Sequence, residues 1–219
     1  MIFFKSFFSS YILLKLFEHI QLSIYSILIA MMISIPLGII LAKSRFQKTS
    51  SLILKICSII QTIPSLALIA LLIVIMVSIR NFIHLPTIGF FPGILVLSTY
   101  AILPILANTV QSIKNVDPIL KDVAKALGMT SKQILFYVEL PKSIPYIITG
   151  IRISLIWTIS SATLTSLVGS GGFGDLIMQG LRSMQIDLIL KGTIPTAILA
   201  VTMDHFFIKL SKYLTPNHL

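Results

Sequence analysis

Four hydroxyl side chains, Ser154, Thr158, Ser161 and Thr165, recur at spacings of four, three and four, which puts them on one face of a helix. Within an apolar run such a stripe has two uses. It packs helices closely, each hydroxyl bonding back to its own backbone, or it forms a wet surface along which a polar solute moves. Trp157, the only tryptophan, lies mid-way along the same run. An indole there either fills a core or meets a quaternary ammonium by cation–π attraction, worth roughly 0.5–2 kcal/mol. Asp204 and His205 occupy another apolar run, where ionisable groups must be paired or lie near an interface, and Arg152 can snorkel toward the same side. For catalysis the residue types are wrong: there are no paired catalytic carboxylates, no His-Glu-x-x-His and no Gly-x-x-x-x-Gly-Lys-Ser/Thr phosphate loop. Cys57 is the only cysteine and sits among apolar residues, so no disulfide or cysteine-based metal cluster is expected and it reads as a small packing residue.

The elements that carry these residues are set by composition. The chain has 219 residues, 56% hydrophobic and 11% charged, with a mean hydropathy of +0.98. A span needs roughly 20 apolar residues to cross about 30 Å of hydrocarbon with every backbone group satisfied internally. Runs of that kind are expected at Ile20–Ala42, Leu52–Ile79, Phe91–Ile113, Tyr146–Val168 and Leu188–Leu210. The second is long and interrupted by Gln61-Thr62-Ile63-Pro64, because Pro64 lacks an N–H and disfavours helix at Ile63. It is either one kinked, tilted helix or two elements giving six spans. Met1 to about Glu18, with Phe4, Phe7, Phe8, Tyr11 and Ile12 at helical spacing, reads as a helix lying in the interface; a cleaved signal peptide is the competing reading.

The net charge of +10 sits between apolar runs and not on a soluble helix face, so it is read as membrane orientation with no nucleic-acid partner. Lys43, Arg45 and Lys48 follow the first span, and Lys114, Lys121, Lys125, Lys132 and Lys142 follow the third, which assigns both loops to the cytoplasm. With five spans the N-terminus is outside and the tail with Lys209 and Lys212 inside. On this topology Ser170 and His205 lie near opposite faces, which removes them as a nucleophile–base pair.

Residues 117–141 are too polar to span and too periodic for an irregular loop. Asp117 is an N-cap with Pro118 at the first helical position, and Gly128 is placed to end that helix in the left-handed conformation. Thr130 with Gln133 forms a capping box for a second short helix expected to stop at Leu140-Pro141. Leu120, Val123, Ala124 and Leu127 make an apolar stripe that either packs back on the spans or docks into a groove on a cytoplasmic partner.

The spacing Asp122-Val123-Ala124, Gly128, then Val138-Glu139-Leu140-Pro141 resembles the EAA signature of ABC importer permeases, with conservative changes at Asp122, Val123 and Val138. Gln61-Thr62-Ile63-Pro64-Ser65, Thr99-Tyr100-Ala101, Asn115-Val116-Asp117-Pro118 and Val168 to Asp175 extend the likeness to permeases for glycine betaine, carnitine and choline over roughly residues 20 to 210. Ala107 departs from it, standing where an arginine is expected.

The resemblance implies an all-α integral membrane protein of the type I, methionine-importer-like permease fold, filling 1–219 as one domain in a bacterial cytoplasmic membrane. It also implies that Asp122, Val123, Ala124, Gly128, Leu140 and Pro141 couple to a separate ATP-binding subunit that holds ATP and magnesium, this chain binding no cofactor of its own. A second permease copy or paralogue and an extracellular or periplasmic substrate-binding protein complete the expected assembly. The candidate pathway comprises Gln61, Pro64, Tyr100, Trp157, Thr158, Ser161 and Thr165, and the turn of Gly169, Gly171, Gly172, Gly174 and Asp175 is expected to shape the outer mouth. Three other readings remain: a permease for methionine or another small solute, an ion-coupled secondary transporter, and an intramembrane enzyme.

Overall fold

A computed structural model describes residues 10–79 and 85–214, all of whose regular elements are helical. Helix α1 is Ser10–Leu41, α2 Gln47–Thr62, α3 Ser65–Ile79, α4 Phe90–Lys114 and α5 Pro118–Ala126. Helix α6 runs Ser131–Val168, α7 Phe173–Ser183 and α8 Ile186–Leu214. Four of these, α1, α4, α6 and α8, are long and apolar enough to cross a membrane singly.

The expected second span is broken: α2 and α3 meet at an angle of 107° across Ile63-Pro64. The two halves nonetheless make one crossing. Ala42 and Lys43, just beyond α1, border the same cavity as Lys114 at the end of α4. At the opposite end the Gly89 N–H donates to the Val168 carbonyl at 2.7 Å, and Gly93 abuts Ser170. The chain therefore leaves α1 at the lysine-rich end and enters α4 at the other, so α2 and α3 count as one broken span and the described residues hold up to five candidate crossings, not six.

Two expected boundaries are corrected. Residues 10–18 are not a separate interfacial helix; they continue into α1, which at 32 residues is roughly 48 Å long and overshoots the hydrocarbon. The remainder of that segment, 1–9, lies outside the described residues. Nor does the second loop helix stop at Leu140-Pro141. The turn Leu135–Glu139 widens to a π-helix, with the Leu140 N–H bonded to the Leu135 carbonyl, and the chain continues as α-helix to Thr165. A π-turn removes the clash that Pro141 would otherwise make with the preceding turn, so the proline marks a register change and not an end.

Helix α4 lies at the centre, against α1 on one side and α6 on the other. Ile27 and Ala30 of α1, Ala101 and Ile105 of α4, and Ile147, Ile151, Leu155 and Ile159 of α6 form the largest buried cluster. Small residues permit the approach: a Cβ on Gly150 would lie 2.8 Å from the Pro104 carbonyl oxygen. Helix α8 packs at the periphery and leaves Ile198, Val201 and Phe206 exposed.

Candidate coupling and translocation sites

The loop between α4 and α6 is built as its residue types dictate. Asp117 caps α5, its carboxylate accepting from the Ile119 N–H at 2.8 Å with Pro118 next to it. At the far end Gly128 has φ +77°, and the Met129 N–H reaches the Ala124 carbonyl while the Gly128 N–H reaches that of Lys125. This pair of bonds is a Schellman closure, which needs a residue tolerant of the left-handed region at position 128. Thr130 and Gln133 form the reciprocal capping box that opens α6.

The apolar stripe of α5 divides. Ala124 is buried against the body, whereas Ile119, Val123 and Leu127, four residues apart, are 69%, 53% and 76% exposed. Phe136 and Tyr137, in the π-turn, are exposed as well. Asp122 is exposed and pairs with Lys125 at 2.9 Å. Lys121 points inward, donating to the Ile113 carbonyl at 3.1 Å and meeting Glu139 at 3.0 Å. One side chain thus joins α5 to the end of α4 and to the π-turn that precedes Leu140 and Pro141.

Three of the candidate pathway residues come together at the break in the second span. Pro104 donates no hydrogen bond, so the Tyr100 carbonyl one turn earlier lacks its helical partner; the Gln61 side-chain amide donates to it at 2.9 Å. In return the Tyr100 hydroxyl donates to the Ile63 carbonyl at 2.6 Å, beside Pro64. Two proline interruptions satisfy one another's backbone.

The hydroxyl stripe and Trp157 part company. Ser154, Thr158 and Thr165 are buried inside the protomer and Ser161 is half-buried. Ser154 donates to the Ala101 carbonyl at 2.8 Å and Thr165 to that of Ala162 at 2.9 Å, the packing use of such a stripe. Trp157, 67% exposed, lies instead with Tyr146 and Ile153 on the outer face of α6. Arg152 is half-buried and forms an ion pair with Asp204 of α8 at 2.5 Å, so the two charged groups that the sequence placed toward one side meet each other.

At the other end, Gly169, Gly171 and Gly172 take φ of +74°, +87° and +77°, which other residues adopt only with strain. Gly174 opens α7, where a Cβ would sit 2.2 Å from the Thr163 carbonyl oxygen. This turn is clamped by residues outside the candidate set. The Glu18 carboxylate accepts from the Gly172 N–H at 2.8 Å, and Lys15 bridges Glu18 at 2.8 Å and Asp175 at 2.7 Å. His19 is fully buried beneath the turn, its Nε2 donating to the Ile159 carbonyl at 3.0 Å and its ring 5.4 Å from that of Phe173. A signal for these residues exists: Lys15, His19, Ser23 or Ser26, Ala30, Ser34 and Gly38 form a polar and small-residue stripe along α1, the kind of face that packs inside a membrane protein.

Comparison with known proteins decides what these pieces belong to. The family described as "Binding-protein-dependent transport system inner membrane component" matches residues 34–217. This chain is a member of that family. The carnitine transport permease protein OpuCB of Listeria monocytogenes is 37% identical over 206 residues, covering 94% of this chain and 89% of the relative. The choline transport system permease protein OpuBB of Bacillus subtilis is 38% identical over 205 residues, with 94% and 89% covered. In structure the permease is similar to a chain of the MetNI methionine ABC transporter, with a TM-score of 0.80, 21% identity and coverage of 94% and 97%. A chain of an amino acid ABC transporter follows at 0.68, 18% identity and coverage of 92% and 91%. The type I importer permease fold and the inner-membrane location expected from the sequence are both met, and the family's part in transport is that of a membrane subunit.

Proposed function

We propose that this permease carries a quaternary-ammonium osmoprotectant such as carnitine, choline or glycine betaine, by alternating access between two permease copies or paralogues, driven by a separate ATPase subunit. The observation that carries the coupling half is the exposed apolar row Ile119, Val123 and Leu127 on a helix capped at both ends, on the lysine-rich side that the positive-inside rule assigns to the cytoplasm. Nine helical residues that leave bulky apolar groups in water fit a groove on a partner. Lys121 supplies the link from that helix to α4 and to the π-turn of α6. ATP and magnesium then belong to the partner, since the sequence carries no Gly-x-x-x-x-Gly-Lys-Ser/Thr loop to hold a nucleotide.

Similarity to carnitine and choline permeases supports the substrate class. Trp157, on the outer face of α6, is the residue of this chain best suited to meet a quaternary ammonium where two copies face each other. Selection by an extracellular or periplasmic binding protein is supported by the family's description as binding-protein-dependent. The test is uptake by proteoliposomes containing the permease, its ATPase and its binding protein, with carnitine, choline, glycine betaine and methionine in competition. ATP-dependent uptake blocked by the first three and not by methionine supports the reading; competition by methionine alone reassigns the substrate, and uptake driven by an ion gradient without the ATPase removes the coupling mechanism.

A further inference from the structure

Five lysines contributed by four separate segments of the chain surround one cavity of about 700 Å³ at the lysine-rich end. Lys43 follows α1, Lys114 ends α4, Lys121 and Lys125 lie on α5, and Lys132 is in the first turn of α6. The only carboxylate lining it is Glu139, already engaged by Lys121. Lys114 has a hydroxyl for company, Ser50 at 3.2 Å, and among the described residues Lys43 and Lys132 have no ion-pair partner. Lys125 meets Asp122 at 2.9 Å, so three of the five lysines around the cavity, Lys43, Lys114 and Lys132, have no carboxylate among the described residues and together favour an anion there.

We infer that this cavity binds the phosphate headgroup of an anionic phospholipid from the cytoplasmic leaflet. Lys43 and Lys114 stand at the ends of spans α1 and α4, with the lysines of α5 and of the start of α6 facing them across the cavity, and basic pockets beside span ends are the form that such recognition takes. Ala42, Ile134 and Leu135 complete the wall with apolar surface against which the glycerol and upper acyl chain can rest. The site goes beyond the transport reading and does not overlap the docking row. On a helical wheel Lys121 and Lys125 lie opposite Ile119, Val123 and Leu127, so an ATPase seated on the exposed apolar row does not cover these two lysines.

The complete transporter, purified in detergent with its ATPase and binding protein, is titrated with phosphatidylglycerol and with phosphatidylcholine and read by native mass spectrometry. Phosphatidylglycerol is retained in preference, and Lys43→Gln with Lys132→Gln weakens it about thirtyfold, while Lys209→Gln with Lys212→Gln on α8 leaves it unchanged. If the double variant fails to assemble, Lys43→Gln alone weakens retention about fivefold. Equal loss from both pairs, or none from the cavity pair, overturns the assignment. Inorganic phosphate bound as tightly as the lipid makes this a site for a soluble anion and likewise overturns it. So does lipid that binds only once the ATPase is stripped away, since an acidic protein segment then owns the cavity.

Discussion

Gln61 and Tyr100 hold each other's helices at the points where prolines interrupt them: the Gln61 amide serves the Tyr100 carbonyl, and the Tyr100 hydroxyl serves Ile63. The interruption at Pro64 lets the second crossing turn by 107°, and the interruption at Pro104 bends nothing so sharply but frees a carbonyl to receive the side chain. The polar residues here therefore have a structural task irrespective of any contact with solute.

Removing one partner leaves a carbonyl unsatisfied in a low-dielectric setting, at a cost of about 1–3 kcal/mol. Tyr100→Phe and Gln61→Leu should each lower thermal stability in detergent, and the double variant should lose less than the sum, because both bonds fix the same break. Additive losses would mean that the two bonds act independently.

Arg152 and Asp204 tie α6 to α8 through a part-buried ion pair. Neutralising one leaves the other's charge part-buried and without its partner. Arg152→Gln or Asp204→Asn alone should reduce the yield of folded protein, measured by size-exclusion chromatography, and Arg152→Leu with Asp204→Leu should recover most of it.

The glycine turn gives an ordered series. Gly174→Ala puts a Cβ against backbone and should abolish folded protein, whereas Gly171→Ala meets the movable Glu18 carboxylate at 2.6 Å, with added strain from its φ, and should be milder. Gly128 has the same left-handed backbone but open space around it, so Gly128→Asn should be nearly silent and Gly128→Val should not. Thermal melting of the four variants checks the order. The clamp itself predicts that Glu18→Ala, which loses the bonds to both Gly172 and Lys15, destabilises more than Glu18→Gln, which can still accept from Gly172.

The spans, the caps at Asp117 and Thr130 and the ending at Gly128 were legible because each is a local matter of hydropathy or of one side chain bonding to a nearby N–H. The π-turn was not, since Pro141 reads locally as a stop and only the packing of α6 keeps the helix going. Trp157 and the hydroxyl stripe looked like one site because they share a run, but neighbouring positions on a helix face different ways, and Ser154 turns in where Trp157 turns out. The clamp of Lys15, Glu18 and His19 was missed for a related reason. Their partners Asp175, Gly172 and Ile159 lie more than a hundred residues away, and an amphipathic segment near the N-terminus resembles an interfacial helix until those partners are in place.

That Ile119, Val123 and Leu127 receive the force of ATP hydrolysis is tested most directly by Val123→Asp with Leu127→Asp in the reconstituted transporter. Both side chains are exposed in the isolated chain, so the variant should fold and insert normally. ATP-driven uptake should fall by at least tenfold, and the ATPase subunit should no longer co-purify with the permease. Normal co-purification together with undiminished uptake would contradict the account.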